Sequence, residues 1–241
     1  RFRELEVLVP KLTAMGVHVQ IVTSAVRPIP EAWAEMDKVQ VCVSIDGLQP
    51  EHAARRAPAT YDRILKHIKG QHITVHCTIT RQQSRAGYVT EFTEFWAGLP
   101  DVKRIWFSLY TPQIGEDSPE MLRAEDRARV VAEITELYAR HPKLHDMIPS
   151  VVKGYLQPPG SPEACIFAKT TACLSSDLKR TITPCQYGGT PDCTQCGCMA
   201  SVGLGALGDY KLGGLMPLRS IFNASFRIGD GMRKLRGEAS R

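Results

Sequence analysis

No stretch of the 241 residues approaches the roughly 18 consecutive apolar residues needed to cross a bilayer, so a membrane span is excluded from the reading. Neither common glycine-rich phosphate loop is present, which argues against a nucleotide-binding Rossmann domain. There is no internal repeat, which sets aside solenoids and propellers. No signal peptide is visible, although the chain starts at an arginine. Strong charge of either sign is also lacking: the formal net charge is +5, with 23% charged and 43% apolar residues, the proportions of an ordinary soluble globular protein. What basic excess exists sits at the end. Residues 219–241 carry six cations against Asp230 and Glu238, a stripe that most often is a solvated tail and less often a nucleic-acid or lipid footprint. Nucleic acid is not expected as a partner.

Across the first 155 residues, helix and strand patterns alternate. Phe2, Leu5, Leu8, Leu12 and Met15 recur at helical spacing up to Gly16, with Pro10 inside the pattern as a potential break. Strands are predicted at Val17–Ser24, Val39–Ile45, His72–Thr80, Arg104–Tyr110 and Ile148–Val152. Helices are predicted at Tyr61–Ile68, Tyr88–Trp96 and Ala124–Arg140. Repeated units of this kind favour parallel strands joined by right-handed crossovers. The fold class read here is α/β: a partial (β/α) barrel over residues 1–156, a small cysteine-rich C-terminal module over 157–214 after the linker Pro158–Pro162, and a basic tail over 215–241. Short irregular structure is expected through the glycine-rich residues 188–214.

Strand parity locates the chemistry. Val39, Val41, Val43 and Ile45 share one face, opposite Gln40, Cys42, Ser44 and Asp46; Ile73, Val75, Cys77 and Ile79 oppose Thr74, His76, Thr78 and Thr80. The apolar face suits packing on helices, and the mixed face points inward with its C-terminal end at the usual place for a site. His76 reads as a hydrogen-bonded structural histidine, and Cys42 and Cys77 as buried apolar-like residues.

Six of the eight cysteines fall within 34 residues as Cys165-x7-Cys173-x11-Cys185-x7-Cys193-x2-Cys196-x-Cys198. Cys193-x2-Cys196 turns two thiolates toward one metal, and Cys173 and Cys185 can complete a four-sulfur set. Spacing alone leaves zinc and iron–sulfur open, with disulfides third. Cys165 and Cys198 are the least certain ligands.

The run Val41-Cys42-Val43-Ser44-Ile45-Asp46-Gly47, followed by Glu51-His52, Arg56 and Tyr61–Leu65, resembles the radical S-adenosylmethionine (radical SAM) superfamily, and within it the members with a SPASM- or twitch-type C-terminal extension. Val75–Arg81 and Ile105–Leu109 resemble the strands that follow, and the cysteine segment resembles the auxiliary-cluster segment of those relatives. The resemblance implies that Ser44 and Asp46 face S-adenosylmethionine, that Arg56 meets its carboxylate, and that Thr80 contributes from the next strand end. It favours an auxiliary 4Fe–4S cluster over zinc. For a full-length protein it implies a second 4Fe–4S cluster, cleavage of S-adenosylmethionine to a 5′-deoxyadenosyl radical, a peptide or small-molecule substrate, an electron donor such as a flavodoxin or ferredoxin, and a cytoplasmic location. The family's Cys-x3-Cys-x2-Cys loop and Gly-Gly-Glu motif do not occur in these residues, so a missing N-terminal portion is expected and the chain alone is expected to lack the radical reaction. The competing reading is a zinc-stabilised α/β binding module without redox chemistry.

Overall fold

The computed structural model describes residues 4–145, 147 and 149–237. Two compact units emerge. The first gathers residues 1–79, 83–108 and 136–146, and the second gathers 80–82, 109–135 and 147–241.

The first unit is built on a four-stranded sheet. Helix α1 (Leu5–Ala14) runs through Pro10 without a break and ends before Gly16, whose φ of +86° lets the chain reverse. Phe2, the first residue of the expected pattern, lies outside the described residues. Strands β1 (Val19–Thr23) and β2 (Val39–Ser44) pair in parallel and flank a 3-10 turn at Glu31–Glu35. Helices α2 (Gln49–Arg56) and α3 (Tyr61–His67) then lead to β3 (Ile73–Ile79), parallel to β2. Helix α4 (Tyr88–Ala97) carries the chain to β4 (Val102–Leu109). Strand order is β1-β2-β3-β4, four parallel strands with helical crossovers, an α/β fold. Among the described residues the sheet stays open at β1 and β4. Burial follows the expected parity in part: Val43, Ile45, Ile73, Val75, Cys77 and Ile79 are fully buried and Ser44, His76 and Thr78 on the opposite face are half-buried, but Cys42 and Thr74 on that face are buried as well. Behind the apolar face, Tyr61, Phe92, Trp96 and Phe107 form a chain of tilted and edge-on ring contacts, which adds orientation preference to plain burial.

Helix α2 is absent from the sequence reading although its signals are present. Pro50 sits in the first turn with Glu51, and Arg55 and Arg56 close the last, the charge order a helix dipole favours. Its mean hydropathy is low, so no apolar period announced it.

Helix α5 (Ala124–Arg140) matches its expected bounds. The strand expected at Ile148–Val152 is corrected. Ile148 lies outside the described residues, and Pro149–Lys153 forms a short helix, α6, that packs against the helix at Met199–Asp209. Proline at the first helical position presets φ for a helix, and this outweighs the β-propensity of Val151 and Val152. The second unit continues with α7 (Ile166–Thr170), α8 (Met199–Asp209), a two-residue hairpin of β5 (Lys211–Leu212) with β6 (Met216–Pro217), and α9 (Leu218–Leu235). The expectation of irregular structure through residue 214 is therefore also corrected, because 199–209 is helical. Gly208, one of the glycines in that stretch, serves close packing instead, and so does Gly154, directly after α6. A Cβ on Gly208 would strike Ile166, and one on Gly154 would come within 2.7 Å of Val202 Cγ1. Among the described residues no helix is long and apolar enough to cross a membrane.

Candidate functional site

At the C-terminal end of β2 the backbone is held from every side. Asp46 N–H donates to His52 Nδ1 at 2.9 Å, which leaves the proton of His52 on Nε2, where it meets Ala59 O at 2.7 Å. Gln83 Nε2 donates to Asp46 O at 2.5 Å, Tyr61 Oη donates to Gly47 O at 2.5 Å, and Leu48 N–H donates to Tyr88 Oη at 2.8 Å. Gly47 has φ +129°, and a Cβ there would fall within 2.7 Å of both Gln83 Nε2 and Tyr88 Oη. Only glycine serves at this turn.

The Asp46 side chain receives a two-pronged contact from Arg56: Nε to Oδ2 at 2.6 Å and Nη2 to Oδ1 at 3.2 Å. Arg55 Nε stands 3.6 Å from the same carboxylate. Burial works to raise the Asp46 pKa, but the Arg56 hydrogen bonds and the two guanidinium charges outweigh it and hold the carboxyl below its ordinary value. Burial lowers the pKa of His52, which is fully enclosed, and likewise that of His76. His76 Nε2 lies 2.8 Å from Ser108 Oγ, and Ser44 is the register partner of His76. His76 is thus hydrogen-bonded in the sheet.

Arg27, Arg55, Arg56 and Arg63 converge with Ser24 on a cavity of about 610 Å³ beside α2. Arg27, Arg55 and Arg63 have no assigned role in the sequence analysis; Arg27 lies 28 residues before Arg55, so only the fold shows the convergence. A cluster of forked, permanently charged donors suits a carboxylate or phosphate. A cavity of about 970 Å³ lies at the opposite, N-terminal ends of the strands, lined by His18, Val39, Thr74 and Lys103 among others; open α/β sheets bind ligands at the carboxyl ends. The structure brings Asp46 and Arg56 into contact and places Ser44 two residues upstream of Asp46 on the same strand face. Thr80, buried and directly after β3, belongs to the second unit.

In the second unit, five of the six candidate cysteines, Cys165, Cys185, Cys193, Cys196 and Cys198, line one cavity of about 20 Å³ together with Tyr187 and Ser201. Cys173 does not line it, but lies within electrostatic range of Cys185. All eight cysteines are free thiols. Burial, reinforced by neighbouring sulfurs, pushes the Cys193 and Cys198 thiols up to about 11, and burial also raises Cys185 and Cys196. Donors already approach the sulfurs: Gln186 Nε2 is 3.1 Å from Cys198 Sγ, Ala168 N is 3.5 Å from Cys165 Sγ, and Ser201 Oγ is 3.1 Å from Cys165 Sγ. A sulfur-only donor set with N–H and O–H groups around it fits a soft metal or iron–sulfur centre. Among the described residues no three His, Cys, Asp or Glu side chains stand in metal-holding geometry, so the set is gathered without being closed.

Arg127, to which nothing in the sequence points, and Gly197 organise this loop. Arg127 on α5 donates to the carbonyls of Gln195 at 2.6 Å, Tyr155 at 3.0 Å and Cys196 at 3.2 Å. Gly197 N–H donates to Thr111 Oγ1 at 2.8 Å and its carbonyl accepts from Leu109 N–H at 2.9 Å. A Cβ at Gly197 would collide with the Leu109 backbone. Gly197 is thus required by close backbone approach, whereas Gly188 and Gly189, at φ +63° and +59°, supply left-handed conformations.

No family model matches the sequence, and no curated protein matches it. Solved structures do match. Native anSMEcpe with bound AdoMet superposes with a TM-score of 0.53 at 17% identity, over 77% of this chain and 56% of that one. This chain shares its fold with anSMEcpe. A second structure, native anSMEcpe with bound AdoMet and the Kp18Cys peptide, gives TM-score 0.53 at 16% identity over the same shares, 77% and 56%. The likeness is one of fold, and the chain spans a little over half the length of anSMEcpe.

Proposed function

We propose that this chain is part of a radical SAM enzyme that modifies a peptide or small-molecule substrate, and that residues 165–198 hold an auxiliary 4Fe–4S cluster. The carrying observation is the gathering of five cysteines on one cavity in a chain that shares its fold with anSMEcpe. Cys193 and Cys196 are the first ligands in this reading, with Cys185 and Cys198 or Cys165 completing the set. Cys173 is the marginal member, since it stands off the cavity. When bound, clusters and S-adenosylmethionine supply one-electron cleavage and hydrogen abstraction in such enzymes.

The chain's own residues bind and orient. Ser44 offers a hydroxyl on the inward strand face, and Asp46 offers a carboxylate kept charged by Arg56. The arginine-lined cavity takes an anionic group, with Arg56 at its inner edge. Thr80 is not carried into this assignment. A peptide is the favoured substrate class, by analogy with the anSMEcpe structure that holds one, and an electron donor of flavodoxin or ferredoxin type is part of the proposal. The parallel strands, in this reading, are a segment of a (β/α) barrel.

Anaerobic reconstitution with iron and sulfide tests this directly. The expected result is broad visible charge-transfer absorption with about four irons per chain. It should be abolished by Cys193→Ala and by Cys196→Ala and unaffected by Cys42→Ala, which alters a thiol buried in the sheet. One zinc per chain with protected thiolates and no stable iron would overturn the reading in favour of a zinc-stabilised module.

A further inference from the structure

Helix α9 carries two apolar faces, and the fold uses only one. Leu218, Phe222 and Phe226, spaced by four, are half-buried where α9 packs against α7 and α8. On the other side Ile221, Ala224, Ile228, Met232 and Leu235 are all exposed. At about 100° per residue these five fall within an arc of about 80°, so they form one continuous stripe along the helix. Ile228 is 67% and Leu235 84% exposed. The hairpin leading into α9 extends the same character, with Leu212, Met216 and Leu215 exposed, Leu215 at 88%. Isolated exposed apolar residues are ordinary on a protein surface, but a contiguous stripe marks an interaction face.

Charge decides among occupants. The helix and its C-cap, residues 218–236, hold Arg219, Arg227, Arg233, Lys234 and Arg236 against Asp230 alone. Asp230 is engaged by Arg233 at 3.2 Å and Lys234 at 2.9 Å. On the helical projection Arg227 and Lys234 fall on one shoulder of the stripe and Arg236 on the other, all three exposed. Cations on both flanks of an apolar stripe are poorly suited to pairing with an identical basic copy. They are well placed to reach headgroup phosphates while their stems lie along the acyl boundary.

We infer that α9, with its preceding hairpin, is a peripheral docking surface for an anionic lipid bilayer. The helix lies in the plane of the interface, its Leu218–Phe226 face fixed to the protein and its Ile221–Leu235 stripe in the headgroup region. This is surface attachment, not a span.

The test is co-sedimentation of the 241-residue chain with vesicles of phosphatidylglycerol and phosphatidylcholine, compared with phosphatidylcholine alone. Binding is expected only to the anionic vesicles, weakening as salt rises. Arg227→Gln and Arg236→Gln should each reduce the vesicle partition coefficient about fivefold, and Ile228→Asn with Met232→Gln should reduce it at least about tenfold. All four residues are exposed, so melting temperatures without lipid should stay unchanged. Absence of binding to anionic vesicles, equal binding to neutral ones, or a dimer in sedimentation equilibrium that the stripe substitutions dissolve would each overturn the inference.

Discussion

Arg127→Met probes how the cysteine loop is held. The guanidinium of Arg127 satisfies three carbonyls at once. Tyr155 is fully buried and Cys196 is 7% exposed, so two of those oxygens have little recourse to water, while Gln195 is only half-buried and recovers solvent. An orphaned buried carbonyl costs about 1–3 kcal/mol, giving about 2–6 kcal/mol for the pair. Against this, the arginine itself is destabilised where it sits, since burial lowers its pKa. Methionine relieves that desolvation and keeps the stem's packing, so the net loss is about 2–3 kcal/mol. For a chain of this length that corresponds to a melting shift of about 4–12 °C. Lysine, with a point charge in place of a fork, should recover part of the loss. Melting followed by circular dichroism under reducing, anaerobic conditions reads the stability. The rate of Cys196 alkylation, followed by mass spectrometry, reads the local effect and should rise several-fold in Arg127→Met. A melting temperature within about 1 °C of the parent with unchanged Cys196 alkylation would refute the reasoning, because it would mean the three contacts do not hold the loop.

Two glycines with opposite expectations separate backbone crowding from helix propensity. Gly197→Ala forces a Cβ into the Leu109 backbone and should destabilise by about 1–3 kcal/mol, whereas Gly203→Ala, in open space on α8, should stabilise by about 0.5–1 kcal/mol; thermal melts of both variants check this, and equal shifts would refute it. Stability should also fall as pH drops from about 7.5 to 5.5. The neutral forms of His52 and His76 are favoured in the fold, so the unfolded chain takes up protons first, below about 6.5, at a cost of up to about 1.4 kcal/mol per pH unit for each group. Urea titrations across that range should show the slope, and His52→Gln should flatten it; a pH-independent midpoint would count against the enclosed His52 geometry. Asp46 acts in a lower window, because its depressed pKa gives a contribution present above about pH 4 and lost on further acidification.

What the sequence made legible follows from which physical signal each element carries. β2 and β3 were readable because a half-buried strand must alternate, and the fully buried set of Val43, Ile45, Ile73, Val75, Cys77 and Ile79 is that alternation realised. The long helix α5 was readable because seventeen residues give an apolar period room to repeat. α2 was not, since eight mostly polar residues show their helix only in Pro50 and in the order of their charges. α8 was hidden because glycines at 203, 205 and 208 look like chain breakers, although 203 and 205 stand in open space and only Gly208 is needed for packing, with Ile166 lying where its Cβ would be. The same limit governs the sites. The cysteine cluster was visible because its members are close along the chain; Asp46 and Arg56 came from the family resemblance as separate ligand contacts, and only the fold shows them paired with each other. Arg127 lies 69 residues from Cys196, and its role consists of contacts to backbone carbonyls, which leave no mark on any side chain's identity. The four arginines around the cavity beside α2 come from three separate segments, so only the fold makes them one group. Local chemistry is written in spacing, and chemistry assembled across segments becomes readable only when the distances are known.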